Sequence, residues 1–202
     1  MRFGAITLFI LLTTAAIAHA QLADPPSFSV GDTWKLSDGR ELKVMRVDDQ
    51  GTAIAGLRGD CRTCLTLFDK TYTPLSMIDA GGKPMDVMSL RGVVFVGPGW
   101  KFYEWPLEVK KTWNVSAKAF TRGETQNVTI RITVIAYEDV KTKAGTFKAY
   151  KLQRDWTMSW PGYTGSSWTT TDWYAPEVRS LVKSVTTSPG GRDWELVAYA
   201  LK

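Results

Sequence analysis

Between Val128 and Val134 the apolar residues Val128, Ile130, Ile132 and Val134 alternate with Thr129, Arg131 and Thr133. A period of two turns one face of a strand inward and the other toward water, and it does not fit the 3.6-residue period of a helix. The same alternation precedes this run at Trp113, Val115, Ala117 and Ala119, and another run follows the turn signal Lys143-Ala144-Gly145. The stretch from Trp113 to Trp156 therefore predicts a three-strand meander, around which the remaining segments must pair or pack.

Those segments read the same way. Asp38-Gly39 is a strong hairpin signal between Thr33-Trp34-Lys35-Leu36 and Glu41 to Val47, and Asp48-Asp49-Gln50-Gly51 turns the chain again. Pro106 predicts the end or edge of a strand, and Pro161-Gly162, Ala175-Pro176-Glu177 and Pro189-Gly190-Gly191 separate the later strands. Residues 79–99, rich in Gly, Pro, Met and Asp, form the least regular third. Short turns leave no room for crossover helices, so the sheet is expected to be antiparallel. The expected fold class is all-β: a single antiparallel sheet of meander topology, over residues 21–202 as one domain.

Residues 1–20 have Arg2, an apolar run from Phe3 to Ile17, and then Ala18-His19-Ala20, the small-x-small pattern of a signal peptidase site. They predict a cleaved signal helix, and the run falls short of the ~20 residues that a membrane span needs. No cysteine follows the run, so a soluble periplasmic or secreted product is expected rather than a lipid-anchored one. The charge of +5 includes Arg2, and the basic residues are spread out rather than massed, which speaks against nucleic acid or a polybasic membrane patch. The sole histidine is His19, so the expected mature chain has none. Ser-His-Asp and Cys-His catalysis and the common histidine-containing zinc sites all lose their central residue. No metal or cofactor is expected.

The segments PLEVKKTW (106–113), VIAYEDVKTKAGTFKAYKLQR (134–154) and DWYAPEVRSLVKS (172–184) resemble the TapB-like and related domain-of-unknown-function proteins of the bacterial envelope, with a looser echo in FSVGDTWKLSDG. The chain departs from that pattern at Lys110 and Arg179, where the family usually has glycine. The resemblance implies that this single antiparallel sheet is strongly curved, a half-barrel or open barrel similar to the half-barrels of lipoprotein carriers. It brings no catalytic residues.

Three groups are candidates for function. Cys61 and Cys64 form a C-x-x-C, but turn residues and short strands flank them instead of the strand-to-helix setting of a thioredoxin-like enzyme. A local structural disulfide is expected, with a thiol oxidoreductase as the alternative. Asp155 and Asp172 approach each other if the intervening hairpin turns suitably, and paired carboxyls are what a glycoside hydrolase uses. A small shift in that turn sets Arg154 against Asp172 instead, as an ordinary cross-strand pair. Nine tryptophans supply either core or a ligand platform. Regular alternation puts Trp156 and Trp160 on one face, and Trp168 and Trp173 on opposite faces. Trp156, Trp160 and Trp168 beside Tyr163 are the expected lining of a concave binding face. The expected function is a binding or interaction module without enzymatic activity, whose partner is an apolar small molecule, a lipid or an envelope protein; the alternative is a hydrolase or thiol oxidoreductase.

Overall fold

The alternating runs become strands in a computed structural model that describes residues 22–57, 61–85, 88–90, 93–96, 100–121, 124–160 and 163–202. The expected signal segment, residues 1–20, lies outside the described residues. The strands are β1 (Thr33–Leu36), β2 (Glu41–Asp48), β3 (Gly51–Ala55), β4 (Leu65–Phe68), β5 (Pro74–Ile78), β6 (Pro84–Met85), β7 (Met88–Leu90), β8 (Val93–Val96), β9 (Thr112–Thr121), β10 (Glu124–Thr142), β11 (Gly145–Trp160), β12 (Tyr163–Ala175), β13 (Ser180–Thr186) and β14 (Trp194–Ala200). One 3-10 turn, Pro176–Val178, joins β12 to β13. All pairings are antiparallel, in the order β6-β5-β4-β3-β2-β1-β14-β13-β12-β11-β10-β9-β8-β7. Neighbours in the sheet are neighbours in sequence, except where β1 joins β14 and links the two halves, and the consecutive strands β6 and β7 lie at opposite edges. The sheet is open, with β6 and β7 at its edges.

Ring contacts show how strongly the sheet curls. Six strand spacings separate β4 from β12, about 29 Å if the sheet were flat. Yet Tyr72, in the turn after β4, lies 5.5 Å from the Tyr103 ring, which lies 5.9 Å from Tyr174 on β12. Similarly, Trp34 on β1 donates its indole N–H to the Val178 carbonyl at 2.8 Å. Bulges between Val44 and Arg46, Val134 and Ala136, and Trp173 and Tyr174 supply local bends.

Two apolar clusters fill the fold. Trp113, Val115, Val128, Ile130, Ile132, Val134, Tyr150, Leu152 and Tyr174 form the first, as the alternation predicts. Trp34, Leu42, Val44, Ile54, Phe147, Ala149, Val182 and Leu196 belong to the second. Adjacent Ala149 and Tyr150 enter different clusters, so the long β10–β11 hairpin is covered on both faces where its strands twist. An irregular strap, residues 100–111, sends Trp100, Tyr103 and Leu107 into the first cluster.

The two departures from the glycine pattern both have left-handed backbone, φ 78° at Lys110 and 59° at Arg179. Such a conformation costs a residue with a Cβ about 1–2 kcal/mol. At Arg179 the side chain offsets this cost, because its Nη1 donates at 2.9 Å to the carboxylate of Asp32, which has no solvent exposure. Asp32 also accepts the backbone N–H groups of Ser29 and Lys202, pinning the first turn to the last residue. Lys110 is exposed and makes only backbone contacts to Val134. Lys110→Gly is therefore expected to stabilise the fold by about 0.5–1 kcal/mol, since glycine's entropy cost is smaller than the strain it removes. A higher urea midpoint for Lys110→Gly together with a lower one for Arg179→Gly is the expected result.

Candidate ligand-binding site

Register places the site. Trp156 pairs with Ile130 on one side and with Trp168 on the other, and Leu152 pairs with Asp172. Because strand side chains alternate, Leu152, Arg154 and Trp156 of β11 share the inner face with Trp168, Thr170 and Asp172 of β12. Trp156 and Trp168 stand directly opposite each other and stack, with ring centres 5.5 Å apart and planes 9° from parallel. Both are half-buried against the first cluster. The sequence singles out these two, and the structure brings them together. A bulge between Met158 and Trp160 interrupts the regular alternation assumed for Trp156 and Trp160. Trp160 pairs with Tyr163 at the end of the hairpin, and the side chains of both lie outside the described residues.

Next to the stacked indoles lies a buried ion pair. Arg154 Nη1 contacts Asp172 Oδ2 at 2.9 Å, and the two residues are 8% and 2% exposed. Arg154 is opposite Thr170, so Asp172 is its diagonal neighbour. The strap covers the guanidinium, which lies 5.5 Å from the Phe102 ring centre and 5.3 Å from that of Tyr103. Burial works to lower the pKa of Arg154, but Asp172 and Tyr103 outweigh it and hold it above the ordinary value. Burial likewise pushes the phenols of Tyr72, Tyr103 and Tyr174 up, so all are neutral hydroxyls inside the fold.

Hydrogen bonding here is incomplete. Among the described residues, Arg154 Nε and Nη2 and the Trp156 indole Nε1 are buried donors with no hydrogen-bond partner, and Gln126 Oε1 is a buried acceptor without one. Such groups are uncommon, because leaving one unpaired costs about 1–3 kcal/mol.

The carboxyl pair expected of a hydrolase does not form. Asp155 is paired with Thr169 and lies on the opposite face from Asp172, where it accepts hydrogen bonds from the Gln153 amide at 3.1 Å and the Thr169 hydroxyl at 2.9 Å. A pairing register that differs by one residue exchanges the two faces of a strand, and this register selects the Arg154 pair. Trp173 faces away from Trp168, as the alternation predicts. It belongs to the second cluster, with the Lys151 and Lys183 ammoniums 5.2 and 5.4 Å from its ring centre and its N–H donated to Glu138. That hydrogen bond, together with Lys151, holds the Glu138 carboxyl below its ordinary pKa.

Cys61 and Cys64 are joined as a disulfide in the connection between β3 and β4. Strand β4 follows at once, so the helix that a thioredoxin-like centre builds on is missing at this position. Beside the disulfide, the outer face of β2 to β5 forms a groove of about 580 Å³ lined by Glu41, Lys43, Met45, Arg62, Leu65 and Ile78 among others. Among the described residues no cluster of His, Cys, Asp and Glu has the geometry to hold a metal ion, and no helix is long and apolar enough to cross a membrane.

Tyr72, Phe102 and Tyr103 shape the site without having been singled out by sequence. The ring centres of Phe102 and Trp156 are 6.2 Å apart, and Tyr72 is carried by a turn in which Asp69 accepts the N–H groups of Thr71 and Thr73. The only sequence signal is the aromatic density of Trp100 to Trp105, which has no periodicity.

No protein-family model and no curated protein matches the chain. The family suggested by the short motifs therefore gains no support from these comparisons. Among solved structures, a proposed lipoprotein from Parabacteroides distasonis ATCC 8503 is similar at 12% identity and a TM-score of 0.48, over 89% of this chain and 100% of that one. A proposed exported protein with a YmcC-like fold from Bacteroides fragilis NCTC 9343 gives 14% and 0.43, over 90% and 100%. The hypothetical lipoprotein YmcC from Escherichia coli K12 gives 9% and 0.43, over 93% of each chain. Likeness at this level carries nothing about activity, and the functional reading rests on the residues of this chain.

Proposed function

We propose that this protein is a non-catalytic binding module of the cell envelope or its exterior, which holds an apolar or lipid-like molecule on the inner face of its curled sheet at Trp156 and Trp168. One observation carries the reading: two indoles stacked in register on the inner face remain partly exposed at the edge of the first cluster. A flat apolar surface of this kind is costly to leave to water and suits an acyl chain or ring. The signal-like residues 1–20 support the envelope location. The separation of Asp155 from Asp172 onto opposite faces, and the strand rather than helix that follows Cys61 and Cys64, favour binding over either catalytic alternative.

Titration with acyl-chain probes, followed by tryptophan emission, tests this. Saturable binding is expected, weakened at least tenfold in Trp168→Ala, a loss of about 1.4 kcal/mol or more. Trp168→Ala with unchanged affinity and an intact thermal transition would contradict it.

A further inference from the structure

Resting on that binding face, the geometry points to the chemical class of its ligand: a lipid-like molecule that presents an uncharged carbonyl acceptor, an acyl ester, to Arg154 and Trp156. The two unpaired guanidinium nitrogens of Arg154 are Nε and Nη2, which share one edge of the planar group. Their N–H bonds run parallel, forming the two-pronged fork that guanidinium groups use to grip oxygen. Nη1 is already engaged by Asp172. Trp156 adds an unpaired indole N–H on the same face, two residues along the strand. Although the Tyr103 hydroxyl also interacts with the guanidinium, the inner face thus offers donors at Nε, Nη2 and the indole that lack acceptors among the described residues, on an arginine that is 8% exposed and fixed by its carboxylate partner.

Charge decides which acceptor fits. Asp172 already neutralises Arg154, so a carboxylate or phosphate entering beside them would leave one uncompensated negative charge in a buried site, a heavy desolvation cost. An ester carbonyl has two lone pairs for the fork and no net charge, so it satisfies the donors without that cost. Its acyl chain then lies along the stacked Trp156 and Trp168 rings. The rings of Phe102 and Tyr103, with centres 5.5 and 5.3 Å from the guanidinium, cover it from the strap and must move aside to admit the carbonyl.

Methyl decanoate, decanoate and decane, each competing with a bound naphthylamine fluorophore on the full-length protein, separate these possibilities. The ester is expected to bind roughly tenfold tighter than decane, about one well-made hydrogen bond to a charged donor, and tighter than decanoate. Trp156→Phe, which keeps the ring and removes the N–H, is expected to lower ester affinity roughly threefold to tenfold and to leave decane unchanged. Equal affinities for the ester and decane would overturn the carbonyl assignment while leaving the apolar binding face standing. Tighter binding of decanoate than of the ester would overturn the charge argument. Failure of all three probes to compete would overturn the binding face itself.

Discussion

Asp172→Ala is expected to destabilise the protein by about 3–5 kcal/mol, the cost of stranding a buried charge. Arg154 is nearly sealed, stays charged, and has Asp172 as its only ionic partner within 4 Å among the described residues. Removing the carboxylate leaves a guanidinium covered by Phe102 and Tyr103 with no anion beside it. The paired change Arg154→Met with Asp172→Leu is expected to recover most of the loss, because a buried ion pair and well-packed apolar groups of similar volume are often near equal in stability. Urea unfolding followed by tryptophan emission reads both. A loss under about 1 kcal/mol in Asp172→Ala would show that water reaches the guanidinium freely.

The second large effect is on pH. Tyr72, Tyr103 and Tyr174 are held above their ordinary range by burial, and Tyr150 is pushed up to about 12, also by burial. The unfolded chain releases these protons near pH 10, while the folded protein keeps them. The folded state therefore binds more protons above pH 10, and stability falls as pH rises. The contribution is fully present below pH 10 and is lost as pH rises beyond it, the share of Tyr150 by about pH 12. Each tyrosine contributes about 1 kcal/mol between pH 10 and 11, where the unfolded phenol passes from half to almost fully ionised, so four together remove roughly 4 kcal/mol over that unit. The share of tyrosinate absorbance from these four phenols is expected to appear together with unfolding. Ionisation of all the tyrosines in protein that remains folded, with a flat urea midpoint, would contradict the burial of these phenols.

Strand structure was readable from the alternation because a half-buried strand writes its two environments into successive residues. Trp113, Val128, Ile130 and Ile132 are inward as their parity requires, and Trp168 and Trp173 part to opposite faces. The curl of the sheet was readable only as a resemblance, since it arises from bulges and from the strap, which have no period. The choice between an Asp155–Asp172 pair and an Arg154–Asp172 pair was not legible at all. It turns on a hairpin register, and one residue of slip exchanges every side chain between faces. Tyr72 was hidden for a related reason: a left-handed turn residue, φ 59°, carries its ring into the interior, and turn residues are normally read as exposed.

The claim on which the functional account turns is that the paired indoles of Trp156 and Trp168 receive the ligand. Indole N–H resonances of the nitrogen-15-labelled protein, followed during addition of methyl decanoate, test it most directly. The account predicts that the Trp156 and Trp168 signals move saturably, while those of Trp34, bonded to Val178, and Trp173, bonded to Glu138 on the other face, stay in place. Movement of the Trp173 signal with those of Trp156 and Trp168 unmoved, or no movement of any, would contradict it.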